Sequence, residues 1–216
     1  MCTVSRKSQI AQECWDKSLH CWGTAELLRI RANFMNNLIK GQTYAGVAIP
    51  VFIGMLVLCF NFKDDFFYTI KIVFSILNIP FILFSLWTIV WKWQDGYITL
   101  SRANDEHLVL SEKFKDLAHR INSSPIPTLN EIEREYDSLK REDEILTQKI
   151  KELNISECEK RYAMRFALRQ FQRECVGCGQ VPKNLISTDC PVCGQFKFCF
   201  NFLGGKIYDA KHRVST

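Results

Sequence analysis

The sequence lacks the short motifs that commonly mark an enzyme. It contains no H-E-x-x-H metal motif, no G-x-x-x-x-G-K phosphate loop and no G-x-S-x-G nucleophile turn. Its four histidines are scattered, and none has a carboxylate or cysteine partner at the spacing of a known motif. We therefore expect a protein without enzymatic activity.

A strong charge excess is also absent. The chain of 216 residues has 28 Lys and Arg against 23 Asp and Glu, which gives a formal net charge of +5. This excess is too small to indicate nucleic-acid binding by itself. The first long apolar run begins only at Tyr44, well beyond the first 15–30 or so residues that a cleaved signal peptide would occupy. We therefore expect no cleaved signal peptide.

Charge is scarcest in two apolar runs, residues 44–60 and 66–91, of which the second carries the single charge Lys71. A helix needs about 20 apolar residues to cross a bilayer, and aromatic side chains such as those flanking these runs settle at its surface. The pattern predicts a transmembrane hairpin over residues 44–92. The alternative is that both runs are buried helices of a large soluble core, although such helices normally keep a polar face.

Basic residues near the ends of the two runs predict the orientation of the hairpin. They precede the first run and follow the second, whereas the connection between the runs offers only one: Arg29, Arg31, Lys40, Lys92 and Arg102 against Lys63. The distribution predicts a multi-pass membrane protein with both termini in the cytoplasm. In the second run, Ser75 and Asn78 would either bond a neighbouring helix or line a polar path through an oligomer. Lys71 would join that path or extend toward the membrane surface.

The polar flanks of the hairpin predict further helices. In segment 1–43, apolar residues from Ile10 to Ile39 recur at helical spacing, and Gly41 predicts a break. In segment 93–173, Thr128 and Glu131 form a capping box. The helix after it carries a heptad pattern: Leu129, Ile132, Tyr136, Leu139, Asp143, Leu146, Ile150 and Leu153. This apolar seam, interrupted by Asp143, predicts either packing within the chain or a coiled coil between copies.

Four arginines follow at four-residue steps: Arg161, Arg165, Arg169 and Arg173. This spacing places them in one ridge along a helix. Guanidinium groups suit phosphate oxygens, so the ridge could bind a phosphate of a nucleotide, nucleic acid or lipid. The alternative is a solvated face paired with acidic side chains.

The last motif is C-x2-C-x11-C-x2-C, formed by Cys175, Cys178, Cys190 and Cys193. A glycine follows each cysteine pair and permits the tight turn that lets two thiolates reach one metal. Four thiolates are typical of a closed, structural zinc site, with iron as the alternative. Alternating phenylalanines from Phe196 to Phe202 predict a strand beside it. We expect a zinc ribbon over residues 174–203, followed by a tail of residues 204–216.

The segments together predict an all-α membrane protein with a transmembrane hairpin, long cytoplasmic helices and a small C-terminal zinc ribbon. Its layout, with R-I-R-A at residues 29–32, the hairpin and E-K-F-K-D-L-A at residues 112–118, resembles the SLATT family over roughly residues 8–170. That family comprises two-transmembrane effectors of bacterial nucleotide-signalling and anti-phage defence systems, and it offers no catalytic residues to transfer.

The resemblance implies an oligomeric, pore-forming or membrane-disrupting effector in the bacterial inner membrane that is activated through its cytoplasmic region. Its partners would be the lipid bilayer, further copies of the chain and a defence protein such as a nucleotide-signalling enzyme, a sensor or a reverse transcriptase. The alternative is a non-conducting membrane anchor that recruits a protein or nucleic-acid partner through the ribbon.

Overall fold

The computed structural model describes residues 2–59, 92–123, 128–151 and 153–196, together with the single residues 76, 79, 83, 86 and 87. This part of the chain is mostly helical, as predicted. It contains four helices, α1 (Cys2–Cys59), α2 (Trp93–Asn122), α3 (Leu129–Lys151) and α4 (Glu157–Gln170). The four motif cysteines follow α4 in a segment of turns and irregular structure.

The chain divides into two compact units. The first comprises Met1–Arg31 and Leu100–Thr216, and the second comprises Ala32–Thr99. The first unit therefore contains the start of α1, most of α2, the whole of α3 and α4, and the motif cysteines.

Helices α1, α2 and α3 share one apolar core in the first unit. Ile10 and Cys14 of α1 and Leu110, Phe114 and Leu117 of α2 are fully buried in it. The heptad residues of α3 complete this core: Ile132, Tyr136, Leu139 and Leu146. Each large apolar side chain buried in this way contributes about 1.5–3 kcal/mol. The seam of α3 thus packs within the chain, which is the first of the two interpretations that its pattern allowed.

Asp143 interrupts the seam and is buried in the structure. Lys17 of α1 donates to Asp143 Oδ2 at 2.6 Å, and the Cys21 thiol lies 3.7 Å from Oδ1. A buried carboxylate is tolerated when an opposite charge and hydrogen bonds compensate for lost hydration. Asp143 therefore fixes the register of α3 against α1 within a single chain.

Two capping boxes define the starts of α3 and α4. At α3, the Thr128 amide donates to Glu131 Oε2 at 3.0 Å and the Glu131 amide to Thr128 Oγ1 at 3.4 Å, which confirms the predicted box. At α4, Ser156 and Glu159 make the same reciprocal pair, with distances of 2.8 and 3.3 Å. Such caps supply partners for amides that the first helical turn leaves unbonded.

Glu159 also joins α4 to α1. Arg31 donates to its two carboxylate oxygens at 2.9 and 2.7 Å and to the Leu153 carbonyl at 2.7 Å. Burial opposes ionisation of Glu159, but the hydrogen bonds from Arg31 and Ser156 outweigh it and hold the pKa of that carboxyl below its usual value. This fork fixes the loop before α4 against α1.

Gly23 permits the close approach of α1 and α4. A Cβ atom at this position would lie 2.8 Å from the Ala163 carbonyl oxygen and 3.3 Å from the Ala167 Cβ. No larger residue fits without moving one helix. Helix α4 can therefore hold the segment that follows it directly against α1.

The second unit corrects two predictions about the first apolar run. Helix α1 does not end at Gly41 but continues to Cys59, so residues 44–59 are part of this long helix rather than a separate one. Five described large side chains of this stretch are 56–76% exposed, and Ile49 is partly exposed; the five are Tyr44, Val47, Val51, Phe52 and Met55. They therefore do not form the buried core that the alternative interpretation required.

The predicted multi-pass location in the inner membrane is wrong, because no helix within the described ranges is both long and apolar enough to cross a membrane. Residues 44–59 of the first run form the end of α1. Of the second run, only Ile76, Ile79, Leu83, Leu86 and Trp87 are described.

Candidate metal centre

Two short turns bring the four motif cysteines together. We call residues 175–179 and 190–194 the two knuckles; each contains a C-x2-C pair followed by glycine. The sulfur atoms of Cys175, Cys178, Cys190 and Cys193 all lie within 4.8 Å of one another. The Sγ–Sγ distance is 3.9 Å for Cys175 and Cys190, and again 3.9 Å for Cys178 and Cys193.

These sulfur distances suit one tetrahedral metal ion. Four sulfurs placed 2.3 Å from a zinc ion at the centre of a tetrahedron are about 3.8 Å apart. The observed 3.9 Å is close to this value. The four ligands would fill the coordination shell, which is typical of a structural site, since a catalytic site keeps one position for water or substrate.

The backbone of each knuckle is folded to present amide groups. The Gly179 amide donates to the Cys175 carbonyl at 2.7 Å, and the Gly194 amide donates to the Cys190 carbonyl at 2.9 Å. The Gly177 amide lies 3.4 Å from Cys175 Sγ. Amide hydrogen bonds of this kind stabilise the negative charge of a thiolate ligand.

The two glycines that follow the cysteine pairs have different physical roles. Gly179 has a φ of +65°, a left-handed conformation that glycine adopts without steric cost. At Gly194, an added Cβ would lie only 2.2 Å from the Thr188 carbonyl oxygen, so the reason for glycine is a close approach of the chain. The left-handed residue on this side is Gln195, which directly follows the second knuckle and has a φ of 56°.

The thiols of the second knuckle have opposite pKa shifts. Hydrogen bonds from the amides of Cys193 and Val192 lower the pKa of Cys190 below its usual value. Burial raises the pKa of Cys193, and hydrogen bonds with the neighbouring sulfurs act in the same direction. Four thiolates this close repel one another, so a cation is required for all of them to ionise. The donor set therefore fits a metal ion.

Arg165 of α4 supports the second knuckle from within the protein. It is buried, and it donates to the Asn184 carbonyl at 2.9 Å and to the Cys193 carbonyl at 3.3 Å. Its Nη1 also lies 3.3 Å from Thr188 Oγ1 and 3.7 Å from Cys193 Sγ. This guanidinium group ties the loop between the knuckles to α4 and places a positive charge beside a ligand sulfur.

The other ridge arginines lie in different surroundings. Arg161 donates to Gln195 Oε1 at 3.0 Å, and Arg173 forms an ion pair with Asp16. Arg169 is partly exposed. Arg161, Arg165 and Arg173 therefore all contact other residues of the same chain. Phosphate binding by the ridge stays a prediction. The residues predicted for a polar path or helix contact, Lys71, Ser75 and Asn78, lie outside the described part of the chain.

The knuckles are anchored in the helical unit. Cys175, Cys190 and Cys193 share an apolar cluster with Leu19 of α1 and with Ala167 and Leu168 of α4. Phe196 packs edge-on against Tyr162, with ring centroids 5.5 Å apart and an interplanar angle of 89°. Of the strand predicted from Phe196 to Phe202, only Phe196 is described.

The sequence did not identify Asn184 as a contributor to the site, and it did not predict the structural role of Arg165. Asn184, in the loop between the knuckles, accepts from Arg165 Nη2 at 3.3 Å and from the Ile186 amide at 3.2 Å through its side-chain oxygen. An asparagine bonding the amide two residues later is a common turn former, and this was an available signal. The role of Arg165 had no such signal, because its contacts come from residues 19–28 positions away.

The fold and the cysteine geometry define a helical protein with a four-cysteine centre that fits one metal ion. A comparison with protein families then gives the particular family. The family model described as "Mobilome CxxCx(11)CxxC protein" matches residues 11–196, most of the 216-residue chain, and the chain belongs to this family. The match does not show membership of the SLATT family. No curated protein and no solved structure matches the chain.

Proposed function

We propose that this chain is a non-enzymatic binding protein whose metal centre, a structural zinc ion, holds the knuckles in shape for a protein partner. The observation that carries the proposal is the closed set of four cysteines. Because protein sulfur would fill every position of a tetrahedral ion, the metal has no place for a substrate or an activated water. Its contribution is then to fold a segment that has little regular structure of its own.

The surface of the knuckle segment favours a protein over a nucleic acid. Val176, at the turn of the first knuckle, is 96% exposed, and Ile186, in the loop between the knuckles, is 61% exposed. Over residues 174–196, Lys183 is the one basic residue, against the acidic Glu174 and Asp189. Nucleic-acid binding draws most of its affinity from cations, whereas exposed apolar side chains on a rigid turn suit a protein interface.

Photo-crosslinking from Val176 tests this proposal. A photoreactive residue at position 176 is expected to capture one defined protein in the organism that encodes the chain. Val176→Glu should abolish binding of that purified protein to the metal-loaded chain, and so should removal of the metal. Val109→Glu is the matched control, because Val109 is 54% exposed on α2 and lies outside the knuckles.

The same experiment has outcomes that contradict the proposal. Equal binding of the captured protein by the Val176→Glu and parent chains would exclude the knuckle surface. Binding of the metal-loaded chain to a random DNA or RNA oligonucleotide at physiological salt, lost in Val176→Glu, would favour a nucleic-acid partner instead.

A further inference from the structure

A second site of unusual chemistry lies in the helical unit, away from the cysteines. A cavity of about 650 Å³ is bounded by α1, α2, α3 and α4 and by the loop before α4. None of the four motif cysteines lines it. Its volume lies within the range of about 300–1,000 Å³ that is typical of small-molecule sites.

His107 of α2 lines this cavity and is only 3% exposed. Within the described part of the chain, neither of its ring nitrogens has a hydrogen-bond partner. Buried polar groups in folded proteins are nearly always paired, so an imidazole with two unpaired nitrogens requires an explanation. A bound molecule that reaches the ring would supply it.

Lys17 and Asp143, two charged groups beside the cavity, are paired with each other. Asp143 accepts from Lys17 at 2.6 Å and lies 3.7 Å from the Cys21 thiol. Burial lowers the pKa of His107 and raises the pKa of Cys21. The imidazole is therefore neutral at pH 7, with one nitrogen a donor and the other an acceptor. The thiol stays protonated and is a poor nucleophile, so the groups suit binding rather than catalysis.

Most of the remaining wall is apolar. Its apolar part comprises Leu19, Leu27, Ile150, Ile155, Met164 and the small residues Ala163 and Ala167, and its smaller polar part includes His20, Thr24, Thr147 and Asn154. Lys151 and Lys160 also line the cavity, but both are exposed, and Lys160 is paired with Glu157. A ligand with an apolar body would replace water along these walls, and an uncharged polar group on it could meet His107.

We propose that this cavity binds a small, uncharged organic molecule with an apolar body and one amide, hydroxyl or neutral ring-nitrogen group that hydrogen-bonds to His107. The inference rests on the orphaned imidazole and the cavity, and it does not depend on the partner of the knuckles. A charged ligand is disfavoured because Lys17 and Asp143 neutralise each other and the imidazole is neutral.

The test uses the full-length, metal-loaded chain and four compounds of similar size. Benzamide and benzyl alcohol carry a neutral polar group, toluene carries none, and benzoate carries a charge. With eight or nine non-hydrogen atoms each, the neutral polar compounds are expected to bind with a Kd of about 1 mM. The readout is the NMR signal of the His107 ring during titration to about 10 mM, roughly tenfold above that Kd. Toluene and benzoate should bind at least tenfold more weakly.

His107→Phe identifies the contact. This variant keeps an aromatic ring but removes both nitrogens, so it should reduce the preference for benzamide over toluene at least tenfold. Because it lacks the His107 signal, binding to it and to the parent chain is compared through the backbone amide NMR shifts of the residues around the cavity. His119→Gln is the matched control on the same helix, because His119 is exposed and does not line the cavity. It should leave that preference unchanged. Should His107→Phe fail to fold, the titration of the parent chain still decides the question through the His107 signal.

Three results would overturn the proposal. The first is the absence of any His107 shift with benzamide and benzyl alcohol. The second is equal affinity for toluene, which would show an apolar void without a polar contact. The third is tighter binding of benzoate, which would show an anion site.

Discussion

The cysteine centre and the His107 cavity both bury reactive side chains in the same helical unit, but they differ in how those side chains are satisfied. In the centre, four sulfurs converge to distances that suit one ion. At the cavity, the two nitrogens of His107 face no partner among the residues described. The comparison shows that one group of residues is complete once a metal binds, whereas the other is left open by the fold.

The two regions also differ in what holds them in shape. Helices α1, α2 and α3 around the cavity are fixed by a shared apolar core. The knuckle segment has no helix or strand among residues 174–196 and relies on turns, Arg165 and the sulfur cluster. Short segments of this kind cannot bury enough apolar surface to fold alone, and a metal commonly compensates.

Substitution of one of the four motif cysteines should have the largest effect on stability. Cys193→Ser, at a fully buried sulfur, is expected to reduce bound metal from one ion per chain to nearly none and to unfold the knuckles. Structural zinc contributes roughly 10–16 kcal/mol in small zinc peptides, so the loss is expected to be several kcal/mol here. Metal content by mass spectrometry and thermal unfolding measure it.

Cys14→Ala is the control for the loss of a ligand, because Cys14 is buried in the α1–α2–α3 core and is not one of the four. It should keep one metal ion per chain. Retention of stoichiometric metal by Cys193→Ser would show that the four sulfurs are not the ligands. A strong chelator should reproduce the effect of Cys193→Ser in the parent chain.

Substitution of Arg165 should have the next largest effect. Arg165→Ala leaves the carbonyls of Asn184 and Cys193 without their donor and should cost about 2–4 kcal/mol, together with a 10–100-fold loss of zinc affinity. Chemical unfolding and competition with a coloured chelator measure the two quantities. Arg169→Ala, on the same helix but partly exposed, should change stability by less than about 0.5 kcal/mol. Equal effects of the two variants would contradict the role of Arg165.

A pair of glycines on α1 should give opposite, smaller effects. Gly23→Ala is expected to cost about 1–3 kcal/mol, because the new Cβ would lie 2.8 Å from the Ala163 carbonyl oxygen. Gly41→Ala meets nothing within 4 Å and should stabilise the chain by about 0.5–1 kcal/mol through its helix propensity. Urea unfolding measures both changes. Stabilisation by Gly23→Ala would show that α1 and α4 do not approach as described.

The smallest expected effect is the contribution of His107 to the pH dependence of stability. Burial lowers the pKa of His107 in the folded chain, while Asp143 and Glu106 offset part of this shift. As the pH falls, His107 is therefore protonated in the unfolded chain at a higher pH than in the folded chain. The stability that neutral His107 contributes is fully present above the unfolded pKa of about 6.5 and is lost as pH falls below it, by at most about 1.4 kcal/mol per pH unit.

His107→Phe should remove this part of the pH dependence. We expect the difference in unfolding free energy between the variant and the parent chain to grow in favour of the variant from pH 7 to pH 5.5. Because both chains keep the cysteines, the acid sensitivity of the metal centre cancels in this difference. A constant difference over that range would show that His107 is not protonated on unfolding.

Several features of the fold could be predicted from spacing alone. The heptad of α3 predicted its buried face, and Thr128 with Glu131 predicted where that helix begins. The prediction of a separate helix after Gly41 was wrong, because composition does not show that α1 continues through this glycine. The capping box at Ser156 was present in the sequence as S-x-x-E and could have been found by the same rule.

The sequence by itself identified the two cysteine pairs and the helical face of α3, because each depends on residues a few positions apart, whose relative placement local backbone geometry controls. Only the tertiary structure decided that Arg165 supports a ligand loop, that Gly23 admits α4 and that His107 lines a cavity. Those roles arise from contacts between segments distant in the chain, and the packing of whole helices sets such distances.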